Sequence, residues 1–114
     1  MTAAKGDLNI EQGSTWVKAW QPLLNGVVLT GAWTVQAMAR ASYEDPTVLY
    51  EWSTALGNAS FSTGIVTLTT TPAASSGWAW REAVYDVEVT HPTDATIKYR
   101  IAQGRILVSP EATR

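Results

Sequence analysis

The sequence predicts a single small all-β domain, an antiparallel β-sandwich, and three observations carry that prediction. Apolar residues recur with period two rather than the roughly 3.6 of a helix. Clusters of Gly, Pro, Asn and Ser interrupt the chain at short intervals, as turns between strands do. The length of 114 residues suits one core, since a second core forms only in longer chains. The domain is expected to span residues 1–114, with residues 1–5 and 110–114 as tails.

Leu8 and Ile10 alternate with Asp7, Asn9 and Glu11, which predicts a half-buried first strand ending at Gly13. Residues 15–21 form a second strand with apolar groups on both faces, Trp16 and Trp20 on one and Val17 and Ala19 on the other, so its orientation stays open. Asn25-Gly26, the favoured tight-turn dipeptide, lies between Leu23-Leu24 and Val27-Val28-Leu29 and predicts a turn with a short extended arm. From residue 33 to 41 the odd positions (Trp33, Val35, Ala37, Ala39, Ala41) are apolar, giving a long strand with its odd face inward. Residues 43–46 break it, and Val48, Tyr50 and Trp52 share one side of a shorter strand that ends before Gly57-Asn58. Residues 65–70 are rich in β-branched types and read as a strand. Residues 71–77 read as a loop or one helical turn, with Pro72 at its start and Gly77 at its end, before Trp78 and Trp80 lead back into the sheet.

The last third predicts a β-hairpin across the turn at residues 91–95. With Thr90 facing Thr96, Glu88 faces Lys98 and Asp86 faces Arg100 on the wet side. Val89, Val87 and Tyr85 then face Ile97, Tyr99 and Ile101 on the buried side. Gln103-Gly104 reads as a bend or bulge before a final strand over residues 105–109. The total is about seven to nine strands, a number that two packed sheets use well.

Apolar residues make up 46% of the chain and charged residues 16%, a balance that builds a core and is unlike that of disordered chains. The formal net charge of -2 offers no basic surface for nucleic acid or an anionic membrane, and neither partner is expected. There is no cysteine, so stability must come from packing, which fits synthesis in a reducing cytoplasm. The opening residues lack the continuous apolar stretch of a signal peptide, and no segment approaches membrane-spanning length.

Catalytic chemistry finds little to build on, and the chain is not expected to be an enzyme. His91 is the only histidine and precedes a proline in a predicted turn, where an exposed turn residue is the ordinary reading. Glu88, His91 and Asp94 are the only local grouping with metal-ligand chemistry, and Glu88 is already assigned to Lys98. Alternate strand positions bring Asp86 and Glu88 to within roughly 7 Å on one strand face, as two hydrolytic carboxylates would be, yet both are assigned cross-strand cations and neither lies in an apolar stretch. No Gly-x-Ser-x-Gly elbow and no phosphate-binding glycine loop occurs, and no metal or cofactor is expected.

Six tryptophans are many for this length. Trp33 and at least one of Trp78 and Trp80 fill the core, and the remainder mark a protein interface more readily than a platform for sugar rings. The candidate interface residues are Trp16, Trp20, Leu23, Leu24, Val27, Val28 and Trp80.

The order of short motifs resembles small virion modules of tailed bacteriophages. The opening Gly6-Asp-Leu-Asn-Ile-Glu-Gln-Gly-Ser-Thr-Trp16 precedes a Pro-containing stretch ending in Leu29-Thr-Gly31, and a strand with an outward Arg, Ala37-Met-Ala-Arg40, follows. Then come Gly64-Ile-Val-Thr-Leu-Thr69, a linker Thr70-Thr-Pro-Ala-Ala-Ser-Ser76, an aromatic-Asp strand Tyr85-Asp-Val-Glu-Val89, and the closing Ile101-Ala-Gln-Gly-Arg-Ile-Leu-Val-Ser-Pro110. The resemblance covers almost the whole chain and implies an immunoglobulin-like sandwich that acts as a structural subunit of the virion. It transfers no catalytic residue. The expected place is the tail or baseplate as a repeated accessory subunit, with capsid decoration as the nearest variant. Other virion proteins would be its partners, in multiple copies within a symmetric assembly made in the host cytoplasm. The alternative from another class is a carbohydrate-binding module that recognises a bacterial surface glycan through stacked aromatics.

Overall fold

The structure, a computed structural model, describes residues 1–112 of the chain. Alternating sequence becomes strand almost everywhere. The strands in order are β1 (Ala4–Lys5), β2 (Leu8–Glu11), β3 (Trp16–Trp20), β4 (Leu23–Leu24), β5 (Val27–Val28), β6 (Thr34–Arg40), β7 (Tyr50–Ser53), β8 (Ala59–Ser62) and β9 (Ile65–Thr70). A five-residue helix, α1 (Pro72–Ser76), separates these from β10 (Glu82–Thr90) and β11 (Lys98–Ser109). Thr71 caps the helix, its hydroxyl accepting from the Ala74 N–H, with Pro72 in the first turn and Gly77 at the end.

The strands form two sheets and a separate hairpin. The larger sheet runs β11–β10–β6–β7, with β1 and then β2 laid parallel along the outer edge of β11. The smaller runs β3–β9–β8, all antiparallel, and β4–β5 pair only with each other. One cluster of buried residues joins the two sheets: Ile10, Ala37, Trp52, Val87, Val89 and Ile106 from the larger meet Ala59, Val66 and Leu68 from the smaller. Trp52 is fully buried and donates from Nε1 to the Thr70 hydroxyl at 3.0 Å, a polar bond that ties one sheet to the other. Removing a ring of this size from water contributes on the order of 4–6 kcal/mol.

The inward odd face expected over residues 33–41 holds for Trp33, Val35, Ala37 and Ala39, but β6 ends at Arg40 and Ala41 is exposed. Asn25 and Gly26 both take positive φ, 53° and 78°, the geometry of a two-residue hairpin turn. Four other expectations need correction. The strand β8 was not expected, because Ala-Ser-Phe-Ser carries small and polar residues and only Ala59 is fully buried. Trp78 and Trp80 do lead back into the sheet, with β10 starting at Glu82. Ala4 and Lys5 are not tail but pair with Ala102 and Gln103, while Thr113 and Arg114 of the second expected tail lie outside the described residues.

Another correction concerns the hairpin register. Thr90 pairs with Lys98 rather than Thr96, and Glu88 with Arg100, a two-residue offset that keeps every side chain on its expected face. The expected Glu88–Lys98 and Asp86–Arg100 oppositions therefore do not form, although Asp86 still reaches the Arg100 Nε diagonally at 3.4 Å. The turn is longer than its composition implied because side chains hold it. His91 N bonds to the Ile97 carbonyl, the His91 Nδ1 accepts from the N–H groups of Thr93 and Asp94, and an Asp94 oxygen accepts from Thr96 N. A bulge follows: Val87 pairs with Ala102, which leaves Ile101 unpaired and both Ile101 and Ala102 buried. The last correction is at Gln103-Gly104, where the expected bend or bulge is absent and β11 runs through, the bulge falling at Ile101 instead. Gly104 serves instead where β1 gives way to β2, since a Cβ there would lie 2.0 Å from the Gly6 carbonyl oxygen.

Candidate interaction surface

The β4–β5 arm is the connection between β3 and β6. Its tight turn pairs Leu23 with Val28 and Leu24 with Val27, and so projects four large apolar side chains from a two-residue hairpin that belongs to neither sheet. Leu23 is 50% exposed and Val27 65%, while Leu24 and Val28 are half-buried. Val28 is held by the β8–β9 turn, where a Cβ on Gly64 would collide with its methyl group.

The arm stands between two apolar clefts. One, of about 310 Å³, is lined by Leu24, Val27, Val28, Trp33, Ile97 and Tyr99, with the His91 ring on its wall. The His91 imidazole sits edge-on to Trp33, their centroids 5.1 Å apart, and Trp33 donates from Nε1 to the Thr30 carbonyl. The other cleft, of about 300 Å³, lies against Met1, Trp20, Pro22, Leu23 and Ile101. Ile65 and Met1 add further exposed apolar surface at this end of the molecule.

The expected tryptophans divide by position. Trp33, Trp52 and Trp78 are buried in the core. Trp80 stacks on Trp78 with centroids 4.5 Å apart, which continues a ladder through Tyr50 and Trp52 to Trp16. Trp16, Trp20 and Trp80 are each half-buried against the core. Trp20 pairs with Val66 near the start of β9, beside the arm, whereas Trp16 pairs with Thr70 at its far end, where α1 begins. Trp80, beyond α1, therefore lies away from the arm. The structure brings Trp20, Leu23, Leu24, Val27 and Val28 together and leaves Trp16 and Trp80 apart from them.

Val17, Ala19, Ile65, Ile97 and Tyr99 belong to the apolar surface but were not singled out in the sequence. Val17 and Ala19 carried a signal, the apolar second face of their strand. The others carried none: Ile65 starts β9 and is exposed beside the arm, while Ile97, just before β11, and Tyr99, within it, are half-buried and reach the surface only in the cleft beside the arm.

Two ionisable groups are clearly shifted. Burial, and then the neighbouring Tyr43 and Asp7, push the Tyr85 phenol up to about 12, and its hydroxyl donates to the Gly6 carbonyl at 2.8 Å. The side-chain and backbone hydrogen bonds from Thr96 hold the Asp94 carboxyl below its ordinary value. Both serve the scaffold. Among the described residues no three His, Asp or Glu side chains gather in a way that would hold a metal ion, and no helix is long and apolar enough to cross a membrane. No protein-family model matches the chain, and no curated protein sequence matches it.

Proposed function

We propose that the protein is a non-enzymatic structural subunit of a tailed-bacteriophage virion that docks through its arm end, with a place in the tail or baseplate. The observation that carries the docking part is the exposed arm: Leu23 and Val27 stand exposed on a tight-turned hairpin, beside two apolar clefts. Apolar side chains grouped in this way mark a surface that a partner covers. The virion part rests on the motif order from Gly6 to Pro110.

Strand pairing supports the immunoglobulin-like form of the sandwich. A three-strand sheet made of the second, fifth and fourth strands of such a fold faces a sheet built on the third, sixth and seventh, and β3–β9–β8 against β6–β10–β11 follows that order. In this reading β7 is the additional strand beside the third, and β2 is the first strand laid parallel to the last. The arm, the β8–β9 turn and the β10–β11 turn then share one end, where such sandwiches commonly present binding loops.

Imaging of phage particles that carry this chain with a label tests the proposal. Label along the tail or at its tip supports the tail reading, and regular label over the head makes it a capsid decoration protein. No label on any particle overturns the virion reading and brings forward the glycan-binding alternative, which predicts quenching of tryptophan fluorescence by cell-surface glycans.

A further inference from the structure

The sheets have four outer edges, and they are not equally protected. The β1/β2 edge is broken between two short parallel pieces. The β7 edge is blocked by Asn58, whose side chain accepts from Ser53 N at 2.8 Å and donates to the Glu51 carbonyl at 3.0 Å, as a neighbouring strand would. The β8 edge is four residues long and leans on β6 and β7. The β3 edge has no such cover. Its backbone pairs with β9 on one side, and no other described residue bonds to it.

The side chains of β3 are also unusually open. Val17 is 58% exposed and Ala19 is exposed on one face, and Lys18 is exposed between the half-buried Trp16 and Trp20 on the other. The Lys18 ammonium lies 5.7 Å from the Trp20 ring centroid and forms no ion pair among the described residues. At the end of the strand the cleft of about 300 Å³ opens beside Trp20 and Leu23. Natural edge strands carry a central lysine to discourage self-pairing, and an antiparallel pairing of two copies centred here would set the two ammonium groups directly opposite.

We propose that β3 accepts an added strand from a different protein: an extended segment with a carboxylate opposite Lys18 and apolar side chains opposite Trp16 and Trp20. Backbone hydrogen bonds along the free edge would supply affinity, and the pattern of apolar, acidic and apolar side chains on one face would supply selectivity. The pattern is the same for either strand direction. This deepens the docking reading above by naming the chemistry of the partner, and it does not depend on where in a particle the chain sits.

The test is a titration of the full chain, isotopically labelled, with the synthetic peptide Thr-Leu-Thr-Glu-Val-Leu-Thr, followed by nuclear magnetic resonance. The expected result is a shift of the Trp16 to Trp20 amide signals and slower hydrogen exchange at those of them that face the free edge. Lys18→Glu, an exposed substitution that leaves the core untouched, should weaken binding of this peptide several-fold, and a peptide with lysine in place of glutamate should recover it. Equal binding of both peptides by both proteins, shifts confined to other strands, or no shift at all would overturn the proposal. None of these outcomes bears on particle labelling, so the two proposals fail separately.

Discussion

The Trp52–Thr70 bond is the residue contact with the most structural consequence, because it joins the two sheets inside a sealed core. Thr70→Val keeps shape and volume while leaving the Trp52 N–H without an acceptor, so it should cost about 1–3 kcal/mol in urea unfolding. Thr69→Val, one position along and on the outer face, should stay within about 0.5 kcal/mol. Tyr85 sets a different expectation. Its phenol ionises near 10.0 in the unfolded chain and near 12 in the fold, so the fold holds the proton more tightly and is favoured while the phenol is neutral. Its contribution is complete below pH 10.0 and is lost as pH rises towards 12. Melting temperature followed by circular dichroism should fall across that window. Tyr85→Phe should start lower, having lost the bond to Gly6, and fall less steeply.

At the scale of elements, most strands were legible: β6 and β10 from strict alternation, which buries one face and wets the other, and β9 from its β-branched residues. A helical turn was one of the two readings left open for residues 71–77 by Pro72 and Gly77, and the Thr71 cap, not read from the sequence, goes with the helical one. The hairpin register was not. Its parity followed from Val87, Val89, Glu88 and Asp86, but its offset depends on how His91 and Asp94 bond to the turn backbone, and composition does not encode that. The bulge at Ile101 was hidden for a related reason, since an inserted apolar residue looks like one more step of the pattern until both it and Ala102 are seen buried. The orientation of β3 stayed open in the sequence because the strand is apolar on both faces, and the structure explains why: both faces are at least half open. The arm residues were found from Asn25-Gly26 and their apolar flanks, whereas Ile97 and Tyr99 join the same cleft only through the return of β11 beside the arm.

For the whole molecule, two unequal sheets enclose a tryptophan-rich core, and the remaining apolar surface is unevenly placed. The arm gathers Leu23, Leu24, Val27 and Val28 at one end, and the open β3 edge leads into it. The core buries Trp33, Trp52 and Trp78 and leaves Leu23 and Val27 exposed, the apolar surface that the proposed docking would cover. In a symmetric assembly even a modest contact of this kind is multiplied by repetition.

The most direct measurement of the central claim is therefore competition between the natural chain and the double variant Leu23→Ser, Val27→Ser for incorporation into particles, with thermal unfolding of both proteins measured alongside. The variant is expected to unfold within a few degrees of the natural chain and to be largely excluded from particles. Incorporation equal to that of the natural chain, with the fold intact, would contradict the claim that the arm is the docking surface.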